Sequence, residues 1–252
     1  VTKEAFDKIA AGLNDAIEWV RSEGQMIPVL DHGFVRLIDS MGSDLSIVRN
    51  ARVSYDAAWR AGEDEGSDTR LIKYLRKNGH NTPFEAVEFQ FEVKAPIFVF
   101  RQWHRHRTQS FNELSARYRE LPTEFYVPKA EHIGVQSKNN KQARDLSQPK
   151  GFWSRLLVGA SLLVYRAYCH GAFLIYKLLI ATGWPRELAR MVLPLSTYSH
   201  MFAKVDLHNL FNFLNERLHP HAQYEIRVYA EALLELIRPI VPVAVAAWEE
   251  GR

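Results

Sequence analysis

The apolar positions of this chain fall into two regimes, strand-like alternation early and helical spacing late. "AVEFQFEVKAPIF" alternates strictly through Val87, Phe89, Phe91 and Val93, the period of a half-buried strand, until Pro96 stops it. "GFVRLIDSMG" alternates well enough for a second strand, ended by Gly42. Between them, "SDLSIVRNARVSY" has the spacing and the Ser/Asp start of a short helix. "EGSDTRLIKYLRKNG" predicts another, capped by Ser67 or Asp68 and stopped by Gly79. Upstream, "EAFDKIAAGLNDAIEWV" reads as an extra amphipathic helix within residues 1–25, and residues 129–152 are polar without periodicity and predict a loop. Beyond them the spacing predicts helices over 153–182, 186–192, 206–217 and 221–237, with Pro239 and Pro242 breaking the last before a short terminal one. With strands early, helices late, no repeat and no linker, the expectation is one α+β domain over 1–252, a small antiparallel-type sheet packed with several long helices.

Composition sets limits on the chemistry. A chain of 252 residues, 47% hydrophobic, can bury a full core. Its net charge of +3, from 32 basic against 29 acidic residues, is too small for bulk nucleic-acid binding, so local clustering matters more. A single cysteine, Cys169, excludes an intrachain disulfide and a thiolate-rich zinc site. It lies in an apolar helical stretch, where a buried inert thiol is expected; a nucleophile would need exposure and a basic neighbour, for which Arg166 and His170 stand nearest. Residues 156–180 form the longest apolar run, but Arg166, His170 and Lys177 interrupt it, so the expectation is a core helix and no membrane span. No secretory signal is visible, and a cytoplasmic location is the default. The dinucleotide-binding, P-loop, nucleophile-elbow and zincin motifs are absent from the sequence.

Positive charge is gathered in "RQWHRHRTQSFNELSARYRE", residues 101–120, which hold five arginines and two histidines. Arg105, Arg107 and Arg117 offer planar forks that match phosphate oxygens two at a time, with Ser110, Ser115 and Asn112 as further hydrogen-bonding groups. A plainer account is equally physical: "SFNE" fits a capping box from Ser110 to Glu113, and Glu113 and Glu120 could pair with the arginines as a solvated face. Companions lie elsewhere: "HNTPFE" at 80–85, Arg190 in "GWPRELARMVLPL", and His208, Asn212, Arg217, His219 and His221 in "DLHNLFNFLNERLHPHAQYE". Singly, each suits a structural role. Two further constellations compete. His104 and His106, with His219, His221 and His80, resemble metal-binding pairs, although the flanking arginines oppose a cation. Arginines interleaved with Trp103, Phe111 and Tyr118 over 101–119 could instead stack single-stranded nucleic acid.

The run R-H-R-x-x-S-x-N-E-x-S-x-R-Y over 105–118 is long and specific, and it resembles the signature of the flavin-dependent thymidylate synthases. "HNTPFE", "KAPIFVFRQW", "RELARMVLPL" and "FLNERLHPHAQYEIR" resemble the same family in order and spacing, over roughly 34–237. The resemblance implies reductive methylation of dUMP to dTMP, with methylenetetrahydrofolate as one-carbon donor, FAD as hydride carrier and NADPH as reductant. It implies no cysteine nucleophile, no metal, and an obligate homotetramer whose sites combine neighbouring subunits. Arg217 is similar to the arginine that pairs with uracil and promotes attack from C5. Gln102, Trp103, His104, Arg105, Glu113, Leu114, Ser115, Ala116, Arg117 and Arg190 match positions that hold dUMP, with Ser115 and Arg117 nearest its phosphate. His80, Thr82, Glu85, Arg105, His106, Arg107, Glu113, Asp206, His208, Asn212 and His221 match FAD-binding positions. Two departures stand out: Arg119 follows Tyr118 where the pattern often has serine, and Asp206 and His208 replace the Asn and Arg of some members.

Overall fold

The computed structural model describes residues 26–138, 143–146 and 151–251, so the helix expected within 1–25 lies outside the described residues. In chain order the strands are β1 (Met26–Val29), β2 (Gly33–Met41), β3 (Glu88–Pro96), β4 (Ser110–Glu113), β5 (Val135–Gln136), β6 (Arg144–Asp145) and β7 (Tyr198–Asp206). The α-helices are α1 (Asp44–Arg52), α2 (Glu65–Lys77), α3 (Ile97–Trp103), α4 (Phe152–Ala181), α5 (Arg186–Ala189), α6 (Leu207–Arg217), α7 (Tyr224–Ile237) and α8 (Pro242–Glu250).

Five strands form one antiparallel sheet in the order β1-β2-β3-β7-β4. The predicted alternation of β3 is its organising feature. Phe89, Phe91 and Val93 are buried on one face, while Glu88 and Glu92 on the other pair with Lys204 at 2.9 Å and Arg36 at 3.3 Å. Helices α6, α7 and α8 supply much of the rest of the core, with Phe211 stacked on Trp248 at 5.2 Å and Tyr229 Oη donating to the Lys94 carbonyl. Asp44 ties α1 to α8 by accepting the backbone N–H groups of Val243 and Ala244 at the otherwise unsatisfied first turn.

The α+β class is as expected, but strands are not confined to the first half. β7 pairs along the whole of β3 and lies between it and β4, at residues where only helix was anticipated on either side. β4 occupies the supposed capping box: Ser110–Glu113 is extended, and the Glu113 carboxylate accepts from Ser199 Oγ at 2.9 Å. The cap of α2 is Asp64, whose side chain accepts from Ser67 N; Asp68 is buried and pairs with Arg52 at 2.6 Å. Part of the polar 129–152 segment is a hairpin of β5 and β6.

The largest correction concerns α4. Only Cys169, Ala172, Phe173 and Tyr176 are buried, against Phe125 and Ala189, whereas Leu157, Leu163, Val164 and Leu174 are each 67–70% exposed. It is no core helix of this chain. By length and composition it is the one helix among the described residues apolar enough to cross a membrane. Cys169 itself is fully buried beside Ser196, without the exposure that a nucleophilic thiol would need.

Candidate active site

Pro96 ends β3 and opens α3, so the charged stretch begins as a short helix rising from the sheet. Trp103 anchors it. The indole is 1% exposed, packs 4.8 Å from Phe213 and donates from Nε1 to Gln109 Oε1 at 3.1 Å, which holds the turn after the helix. Its side chain, like that of Ala116, is buried, so contact with a ligand at these two expected positions would fall to backbone atoms.

One face of α3, with the residue after it, presents Ile97, Phe100, Arg101 and His104 to a cleft of about 300 Å³. Glu113, Leu114 and Ser115 at the end of β4 form its second wall, and Arg190 the third. His104 is held by Phe111 at 4.8 Å and by Met201 Sδ at 3.2 Å. Arg190 donates from Nε to the Glu187 carbonyl at 3.2 Å, and an Arg117–Glu187 contact of 3.6 Å brings the 115–118 turn to the same corner. Among the described residues Arg101, Arg105, Arg107 and Arg190 have no carboxylate partner. Of these, Arg101 was not singled out in the sequence, where no helix was anticipated after Pro96; helical spacing puts it on the face of His104.

A second cluster forms where α6 ends. Arg217 donates from Nε to His106 Nε2 at 2.9 Å and from Nη2 to the Gln102 carbonyl at 3.3 Å. A guanidinium only donates, so His106 is neutral with its proton on Nδ1. Burial, then the Arg217 charge, pushes the His106 pKa down to about 4. The Arg217 pKa is lowered as well, chiefly by burial. Because an unfolded His titrates near 6.5, the stability owed to neutral His106 is complete above that pH and is lost as pH falls through the window to about 4. The thermal midpoint should drop across this window, and His106→Gln should flatten the drop. An unchanged profile would refute this titration. The Arg217 cluster shares no residue with the cleft lined by Arg190.

The remaining expected positions border α6. The Thr82–Ala86 turn packs against this helix with Thr82 and Glu85 exposed, and His80 sits edge-on to Tyr74 at 5.9 Å. Both Asp206 oxygens are taken by Asn209, so this side chain caps α6. His208 Nε2 meets Asn212 Nδ2 at 3.3 Å, and its Nδ1 is buried without a partner. His221 N donates to His219 Nδ1 at 3.2 Å. Among the described residues no three His, Cys, Asp or Glu side chains are grouped to hold a metal ion. Of the aromatic rings invoked for nucleic-acid stacking, Trp103 is buried, Phe111 is half-buried and only Tyr118 is exposed.

Two arginine forks without carboxylate partners, Arg101 and Arg190, line a cleft with Phe100 and His104 whose chemistry suits a phosphorylated ligand. Residues 36–243 match the family model described as thymidylate synthase complementing protein, and the chain belongs to that family. It is 50% identical over 224 residues to a flavin-dependent thymidylate synthase of Thermus thermophilus, covering 89% of this chain and 78% of that one. The corresponding protein of Wolbachia pipientis wMel is 48% identical over 226 residues, covering 88% and 75%. Among solved structures, a UMP/dUMP methylase, PolB, from Streptomyces cacaoi bound with 5-Br dUMP superposes with a TM-score of 0.77 at 38% identity, covering 89% of this chain and 97% of that one.

Proposed function

We propose that this protein methylates dUMP to dTMP reductively, taking the one-carbon unit from methylenetetrahydrofolate and a hydride from NADPH by way of FAD. The observation that carries this reading is Arg217, a half-buried guanidinium oriented by a neutral imidazole and a backbone carbonyl. Beside a uracil, such a group favours the enolate-like form whose C5 attacks the one-carbon unit, and preorganised donors of this kind are worth about 2.7–4 kcal/mol. Arg101, Arg190, Ser115 and Arg117 suit the nucleotide phosphate, and Glu113 closes the same cleft. The residues also fit a flavin dinucleotide: Arg105 and Arg107 suit its pyrophosphate, and the orphaned His208 Nδ1, with Asn212 and Thr82, supplies polar partners along α6. Hydride carriage is the chemistry a bound flavin supplies. The chain's part is to orient it against the pyrimidine and exclude water.

The reading includes a homotetramer with sites shared between subunits. Two facts support it: the Arg217 cluster and the Arg190 cleft have separate linings, and α4 leaves an apolar face that a second copy would cover. Arg166, His170 and Lys177 within the same helix oppose burial in lipid, in keeping with a soluble cytoplasmic enzyme. The test is to load the protein with FAD, desalt it, record the visible spectrum, and then supply NADPH, methylenetetrahydrofolate and either dUMP or UMP. Retained flavin that bleaches with NADPH, followed by dTMP formation, is expected. Loss of all flavin on desalting, or methylation of UMP alone, would overturn the assignment.

A further inference from the structure

Glu225 is a carboxylate at 2% exposure, in the first turn of α7, where the helix N-terminus favours negative charge. Four hydrogen bonds compensate its burial. Arg144 Nη2 reaches both oxygens at 2.9 Å, Tyr126 Oη donates to Oε1 at 3.1 Å, and Gln223 Nε2 donates to Oε2 at 2.9 Å. A carboxylate accepts and cannot donate. Gln223 must therefore turn its NH2 to Glu225 and its carbonyl oxygen away. That oxygen receives the NH2 of Gln102. Gln102 is left with its own Oε1 outside the relay, and its backbone carbonyl accepts from Arg217, so the residue adjoins the Arg217 cluster.

We propose that Glu225, acting through Gln223, sets the Gln102 amide so that a carbonyl oxygen, not an NH2, faces the nucleotide. Glu225 and Gln223 are then positioning residues for a donor on the ligand, either the imide N–H of a uracil or a sugar hydroxyl. The inference rests on the methylation reading for the identity of that nucleotide. Removing the relay lets the Gln102 amide turn over and present the wrong polarity.

The test uses the flavin-loaded enzyme with Gln223→Leu, Gln102→Leu and the double variant, titrated with dUMP and with dCMP. Gln223 is exposed, so the fold should be spared, and thermal melting checks this. Gln223→Leu is expected to weaken dUMP binding roughly tenfold, the scale of one net hydrogen bond, and to add nothing in the Gln102→Leu background. KM for dUMP should rise while kcat at saturation stays within about twofold. Glu225→Gln, which can donate as well as accept, should shift binding in the same direction. If the ligand donor is the imide, preference for dUMP over dCMP narrows; if it is a sugar hydroxyl, both nucleotides weaken alike. Unchanged dUMP binding in Gln223→Leu, or costs that add in the double variant, would overturn the relay. A wild-type enzyme that keeps flavin but binds no dUMP would overturn the functional reading itself, and this assignment with it.

Discussion

Arg217→Ala is expected to lower single-turnover methylation by about 10²–10³-fold at saturating dUMP, the effect of removing one preorganised donor to a developing oxyanion. The size follows from how the side chain is held. Arg217 is the last residue of α6 and half-buried, with Nε on neutral His106 and Nη2 on the Gln102 carbonyl, so the guanidinium pays little to reorganise during reaction. Lysine would not replace it, since a point charge on a flexible stem cannot hold His106 and the carbonyl together while facing a planar base. The fold should survive. Truncation removes a favourable cation from a helix C-terminus, worth about 0.3–1 kcal/mol, and leaves His106 beside solvent it can bind. Flavin oxidation followed in stopped flow under anaerobic conditions measures the step, and thermal melting measures the fold. An alanine variant that turns over at the wild-type rate would remove Arg217 from the chemistry.

What the sequence discloses depends on whether a segment's partner lies in the same chain. β3 is legible because both of its faces are satisfied locally, the apolar one by helices and the polar one by ion pairs, so its alternation is strict. β7 lies beside it but is hidden: its inward positions are Met201, Ala203 and Val205, of which only Val205 is β-branched, and Phe202 points outward. α3 is masked because Pro96 marks the end of one element and the start of the next at a single residue. α4 was legible as a helix and misjudged in place, since an apolar surface on most sides implies burial without saying by what. The site divides in the same way. The arginines of the 101–120 stretch are visible as a cluster, whereas Arg217 acquires its meaning from His106, 111 residues away, and no local pattern announces that bond. Periodicity could have supplied Arg101, but only after α3 had been recognised.

Mixing two inactive variants, Arg190→Ala and Arg217→Ala, is expected to restore about a quarter of the wild-type sites if each site takes Arg217 from one subunit and Arg190 from its neighbour in a symmetric assembly. Each variant chain carries the arginine that the other lacks, so one random pairing in four assembles an intact site. Were both arginines to serve one ligand within a single chain, no mixture could regain activity. The separate linings of the two clusters favour the shared arrangement. So does α4, where Leu157, Leu163, Val164 and Leu174 stand exposed within one helix. Covering each such side chain contributes about 1.5–3 kcal/mol, enough for several together to offset the cost of association. Lysine at Leu163 and Leu174 should therefore split the assembly, which sedimentation would detect, and abolish the restored activity without unfolding the subunit. Two outcomes would contradict the shared site. One is a mixture that stays inactive although its chains co-assemble; the other is a dissociated subunit that keeps full turnover.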